Sequence, residues 1–285
     1  GLGDVYKRQP SIVPLYFLSE LASKHVKVVL SGEGADELFG GYAEYDELPA
    51  MRKYKKVPQF IRRPIAEIAK TLPEMRGKHF LMRGGLPVEQ TFIGQAHIFE
   101  EQEASAILTD EYNHAPSVAD IVMPIYKKAA GEDDLTKKQI LDLNLWLVDD
   151  ILLKADKMSM AHSIELRVPF LDREVMKVAS KVPSHYRVNE IDTKYAFRQA
   201  SQRALPDEWA HRKKIGFPVP IRLWLKEDKY FNQIKETFES AEAAQFFDQQ
   251  AIVKLLTDHY EGKAKNQRKV WTIYMFLVWY KKYFG

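Results

Sequence analysis

The sequence predicts an α/β domain in which helices far outnumber strands, and three observations predict it. A short apolar run, Val26, Val28, Val29 and Leu30, reads as a parallel strand covered on both faces. Stripes of helical period stand before that run and through most of the residues after it. Between them lies a loop of glycines and carboxylates, Ser31 to Tyr42 (SGEGADELFGGY), placed just past the strand end, where open α/β sheets keep their ligand crevice.

The first stripe, Ser11 to His25, carries Val13, Phe17, Leu18 and Leu21 on one helical face and feeds the strand through a short link. In the loop, Gly32 and Gly34 flank Glu33, so the backbone can turn consecutive N–H groups toward an anion and project Glu33 from a rigid turn. Asp36 and Glu37 follow in the first turn of a helix, where a carboxylate can hold a hard cation such as Mg²⁺. A plainer reading stands beside this one: both acids face a helix dipole, and Gly40-Gly41 is a turn.

From Leu48 to Leu86 the prolines 49, 58, 64 and 73 and the pair Gly84-Gly85 predict short helices with frequent changes of direction. Val88 to Phe99 and Ser117 to Lys128 are further helical candidates. The longest is Asp134 to His162, with Asp134 as its N-cap and Ile140, Leu141, Leu143, Leu145, Leu147 and Val148 crowding its faces. Lys154 and Lys157 share a face of it and repel unless an anion lies near; Asp150, four residues before Lys154, is one such anion. Met158 and Met160 read as core filler.

His162 to Asp172 (HSIELRVPFLD) reads as extended, because Pro169 disfavours helix at Val168. Glu165 and Arg167, two apart, then point to one side, either to orient an amino-acid substrate or to form a buried ion pair that holds the segment. Arg212-Lys213-Lys214 stands before Gly216 and Pro218, a cationic loop with a flexible joint. Val270 to Tyr280 is a buried C-terminal helix, far short of the roughly 20 residues that span a bilayer.

Composition narrows the function classes. A formal net charge of +3 without a clustered basic face points to no nucleic-acid partner, and the run Arg52, Lys53, Lys55, Lys56 with Arg62 and Arg63 reads as a solvated face. The absence of cysteine excludes disulfides and thiolate metal sites and fits a reducing, cytoplasmic compartment. The eight histidines show no metal-ligand spacing, and no HExxH or GxSxG motif is present, so zinc and serine-hydrolase chemistry are poor candidates. No membrane partner is expected.

Several ordered segments together, SGEGADELFGGY, LLKADKMSMAHSIELRVPFLD at 152 to 172, RQASQRALPDEWAHRKKIGFPVPIRLWL at 198 to 225 and the aromatic helix from Val270, resemble the synthetase domain of the asparagine synthetase family over residues 10 to 285. The resemblance implies an ATP-pyrophosphatase-type fold, truncated at its start and helix-rich. It implies ATP and Mg²⁺ as cofactors, and a reaction in which ATP and aspartate give a β-aspartyl adenylate that ammonia converts to asparagine. By the same resemblance Glu33 serves proton transfer during ammonia attack, Ser31 and Gly32 lie at the nucleotide, Asp36 binds the metal, and Lys157 and Lys214 meet phosphate oxygens. Glu165 and Arg167 are the candidates for the amino-acid substrate, with the buried ion pair as the open alternative.

Two family parts have no counterpart here. No cysteine nucleophile of a glutaminase domain is present, and no Ser-Gly-Gly of the upstream pyrophosphate loop. Residues 1 to 9 (GLGDVYKRQ) do not look like the family and read as a foreign or misassembled leader, with the partial synthetase domain beginning at Pro10. Two rival expectations stay open: another amide-forming relative such as a β-lactam synthetase, and, for the chain taken alone, a non-catalytic helical module.

Overall fold

The computed structural model describes residues 10–72, 75, 77–212 and 219–285. Helices dominate the described residues, and one small sheet joins two of the segments singled out in the sequence. Helix α1, Ile12–Ser23, leads into strand β1, Val28–Leu30, and the loop after it into α2, Ala35–Phe39. Strand β1 pairs in parallel with β2, Glu165–Arg167, in the register Val28 with Glu165 and Leu30 with Arg167. The ladder runs on by one bond at each end, from Glu165 N–H to the Lys27 carbonyl and from Ser31 N–H to the Arg167 carbonyl at 2.8 Å.

The strand is not covered on both faces as its composition predicts. Val28 is 41% and Leu30 74% exposed, while Val29 and Leu166 are half-buried. The cause is period two: Val29 and Leu166 share the more buried face of the strand pair, whereas Val28 and Leu30 share the exposed one.

The prolines do divide the next region into short helices: α3, Pro49–Lys55, α4, Gln59–Thr71, and α5, Lys78–Gly85. Pro49 opens α3 at a position where its missing N–H costs nothing. Gly84 and Gly85 act here as contact residues at the end of α5, since a Cβ on Gly85 would strike the Arg62 carbonyl and Ala66 of α4. Arg52 and Lys55 of the basic run leave bulk solvent for ion pairs, Arg52 with Asp46 at 2.6 Å and Lys55 with Glu47 and Asp134.

Val88 to Phe99 is not a helix. It makes one 3₁₀ turn, Val88–Gln90, and then an irregular path, because Gly94 takes a φ of +97° and the Gln95 N–H is spent on the carboxylate of Asp142. After α6, Glu101–Ser105, helix α7, Val118–Lys128, starts at a reciprocal cap between Ser117 and Asp120.

The long helix expected over 134 to 162 is divided. Helix α8, Asp134–Asn144, is capped by Asp133 rather than Asp134, since it is the Asp133 side chain that accepts the Thr136 N–H. Residues Leu147–Leu152 wind as a wider π-helix, and α9, Leu153–Met160, completes the run. Inserting such turns rotates the buried stripe, which brings Lys154 inside and leaves Met160 56% exposed rather than in the core.

Short helices α10, Arg173–Ala179, α11, Ser184–Arg187, α12, Tyr195–Ser201, and α13, Asp207–Ala210, surround α2 and its neighbours. The C-terminal part is a helical unit of α14, Ile221–Trp224, α15, Asp228–Phe238, α16, Ala241–Phe246, α17, Gln249–Tyr260, and α18, Gln267–Phe284. Its core holds Phe238, Ile252, Leu256, Val270, Ile273 and Leu277. Helix α18 is buried along one stripe, Val270, Ile273 and Leu277, and is not buried all round: Phe284 is 65% exposed. No described helix is long and apolar enough to cross a membrane.

Phe238 has no exposed surface. Phe238→Ala should therefore cost about 3–5 kcal/mol in urea unfolding, whereas Phe60→Ala, at a position 77% exposed, should change stability by less than about 0.5 kcal/mol.

Candidate active site

The loop after β1 is shaped by a few close approaches. Ser31 is tied to β2 by its backbone bond to Arg167. Gly32 is exposed and Glu33 half-buried. Gly34 caps α2 in the left-handed region, φ +88°, and its Cα lies against Leu171, so a side chain there would be strained and would collide. At the other end of α2 the N–H groups of Gly40 and Gly41 both donate to the Asp36 carbonyl.

Asp36 meets a residue that sequence reasoning missed. Its Oδ1 lies 2.8 Å from Nζ of Lys194, with both side chains largely buried. Gly41 lies flat against this pair: a Cβ on it would overlap Asp36 Oδ1 and Lys194 Cε. Lys194 itself sits at φ +54°, a conformation rare outside glycine and met at functional sites, and donates its backbone N–H to the Gly40 carbonyl. Arg198, on the next helix turn, donates to the carbonyls of Thr193, Ala210 and Arg212 and so ties α12 to the end of α13.

Glu37 points the opposite way from Asp36, into the protein, and is 1% exposed. The Tyr42 hydroxyl donates to its Oε1 at 2.5 Å and in turn accepts from Trp146 Nε1 at 3.0 Å. Burial raises the Glu37 carboxyl above the ordinary range; the Tyr42 hydrogen bond works against that rise, and the charges of Asp36 and Glu33 add to it. Gln139 of α8 donates to the Glu37 backbone carbonyl at 2.6 Å and is itself held by Arg187. A second buried acid, Asp142, accepts from the Tyr45 hydroxyl at 2.6 Å and from Gln95 N–H at 3.1 Å, and burial lifts it to about 6.

Of the residues the sequence singles out, Ser31, Gly32, Glu33 and Asp36 stand together beside the β2 segment. Glu165 and Arg167 do lie on one side of their strand and form an ion pair, Nε to Oε1 2.8 Å, but an exposed one rather than a buried one. Lys157 is exposed on α9, with no ion-pair partner among the described residues. Lys154 is buried, and its ammonium lies 3.4 Å from Ser11 Oγ. Lys214, with the rest of 213–218, lies outside the described residues, as does the 1–9 segment. Lys194 was hard to find because a left-handed backbone at lysine has no sequence signal, and the segments that carry the resemblance resume only at Arg198.

These pieces form a loop whose outward acid is matched by a lysine and whose inward acid is buried, at the end of a strand pair on which α9, the helix of Lys157, packs. The family model for asparagine synthase matches residues 6–281. The chain belongs to the asparagine synthase family. Within that family it is 41% identical over 273 residues to the glutamine-hydrolyzing asparagine synthetase 1 of Bacillus subtilis, an alignment covering 95% of this chain and 43% of the relative. It is 42% identical over 275 residues to a putative glutamine-hydrolyzing asparagine synthetase of Mycobacterium bovis, 95% of this chain and 42% of the relative. A more distant match, 26% over 214 residues, is to the Bacillus subtilis asparagine synthetase 3. The chain thus spans less than half the length of the first two relatives it matches.

Asp142 supplies a pH-dependent prediction. Its folded value of about 6 lies above the usual 3.8, so the folded state holds the proton more tightly than the unfolded state. Stability is then fully present below about pH 4 and declines as pH rises through about 6, by at most about 3 kcal/mol. Glu37, also raised, acts in the same direction. Urea unfolding at pH 4 to 7 should show this decline, and Asp142→Asn should flatten a large part of it.

Proposed function

We propose that this chain is the synthetase portion of a glutamine-dependent asparagine synthetase, with an ATP-pyrophosphatase-type fold. The observation that carries the reading is the family match through residues 6–281 together with 41% identity over 95% of the chain to a relative bearing that name. Residues 10 to 285 form the partial synthetase domain in this reading, and a glutaminase domain and the phosphate-cradling glycine loop belong to the upstream part of the whole enzyme. Its substrates are ATP, aspartate and ammonia, the last delivered from glutamine, and its place of work is the cytoplasm.

The site residues take roles that follow from their surroundings. Ser31 and Gly32 present backbone at the end of β1, where the nucleotide phosphates approach. Lys157, exposed and with no ion-pair partner among the described residues, neutralises a phosphate oxygen, and Lys214 does so for the departing pyrophosphate. Glu165 and Arg167 exchange their exposed pair for the charged ends of aspartate, the arginine gripping its carboxylate as a fork. Glu33 takes a proton from the attacking ammonia nitrogen as the amide forms.

Mg²⁺ bound in ATP sites keeps most of its ligands from phosphate and water and needs only one or two carboxylates. Asp36 fits that need, and no cluster of three or more acids, histidines or cysteines poised for a metal exists among the described residues. When bound, the ion offsets charge on the pyrophosphate. Asp36 would hold it, giving up its ion pair with Lys194.

In the full-length enzyme, Glu33→Gln should slow asparagine formation by about 10²–10⁴ and pyrophosphate release by much less, measured side by side in one reaction. Equal slowing of both products by under about threefold would remove Glu33 from the proton-transfer role.

A further inference from the structure

A cavity of about 990 Å³ lies between α3, α5, the turn at Val88, α8 and the stretch Ile191 to Thr193, and borders the loop site at Gly41 and Arg198. Gly41 is the single residue of the Ser31–Tyr42 loop on its wall. Its size is at the upper end of what small-molecule sites use. Its floor is apolar, with Met51, Leu86, Val88 and Phe92 each under 9% exposed.

Two of the charged residues that line the cavity are buried, Lys138 and Arg198. Lys138 of α8 is 7% exposed, and its ammonium donates to the Glu44 carbonyl at 2.8 Å and stands 5.6 Å above the Phe92 ring. Glu44 and Phe92 both belong to the cavity wall, so the ammonium is at the cavity surface rather than behind it. Several other charges there are matched: Lys55 by Glu47 and Asp134, Arg198 by Asp192, and Asp46 by Arg52, whereas Glu44 has no ion-pair partner among the described residues. Arg83, on the wall from α5, has no acid partner among the described residues. Desolvation first, and then the Arg83 charge, lower the Lys138 ammonium to about 8, a penalty that a bound anion would remove.

We propose that this cavity binds an organic anion with a carboxylate head and an apolar body, the head between Lys138 and Arg83 and the body on Met51, Val88 and Phe92. A buried ammonium with one adjacent guanidinium suits a planar, singly charged head, which the arginine fork can grip in bidentate fashion. The Glu44 carboxylate on the same wall disfavours a dianion such as a phosphate monoester. The site does not depend on the proposed reaction.

The test is calorimetric titration of the 285-residue chain with 4-phenylbutyrate, 4-phenylbutan-1-ol and phenyl phosphate. The acid should bind with a submillimolar Kd, at least about tenfold tighter than the alcohol. Lys138→Met should abolish the preference for acid over alcohol while leaving the alcohol's affinity unchanged. Arg83→Glu, at an exposed position where folding is not at stake, should weaken the acid by about tenfold or more, and it decides the matter should Lys138→Met fail to fold. Equal binding of acid and alcohol, no binding of either at millimolar concentration, or an undiminished acid preference in the Arg83 variant would overturn the proposal. Tighter binding of phenyl phosphate than of the acid would overturn the carboxylate assignment.

Discussion

The buried carboxylate of Glu37 is the interaction on which the loop depends. With 1% exposure it can remain in the interior only because Tyr42 donates to it and Trp146 supports Tyr42. Donor and acceptor lie five positions apart, so the bond closes the glycine-rich turn on itself. Trp146 adjoins the π-helical stretch and Gln139 lies on α8, so the same acid ties a short helix of five residues to the longest-range scaffold in this part of the chain. A helix of that length has no independent stability.

That anchoring explains how adjacent acids can differ so much. Asp36 and Glu37 are neighbours in sequence, yet one meets a lysine at the loop surface and the other is sealed behind tyrosine. Burying Glu37 fixes the rotation of α2 and thereby aims Asp36 at Lys194. Gly41 permits the approach, since no larger residue leaves room for the pair. The charge on the outward side can exchange partners because the inward side is not free to turn.

Much of this was legible beforehand, for reasons that can be named. The strand, the glycine loop and the extended HSIELRVPFLD segment carry local signals: an apolar run, glycines flanking an acid, a proline that bars helix. Their mutual pairing, β1 with β2, is long-range and had no such signal. Helix boundaries failed where tertiary bonds compete with local ones, as at Gln95, whose N–H goes to Asp142, and in the π-helical turns after Asn144. The exposure of Val28 and Leu30 was misread because an apolar strand reports what it can pack against, and not what is packed on it. Lys194 and the buried Lys138 were missed because one depends on backbone conformation and the other on burial, and neither is written in residue type.

The loop from Ser31 to Tyr42 is held as firmly as the helix it rests on. Native-state amide hydrogen exchange measures this directly. The account predicts that the N–H groups of Gly40 and Gly41, which donate to Asp36, exchange only through the same opening that exposes the amides of α8, and that Tyr42→Phe lowers the protection of both glycines selectively. Exchange of Gly40 and Gly41 at the rate of free peptide, in a protein whose α8 remains protected, would contradict it.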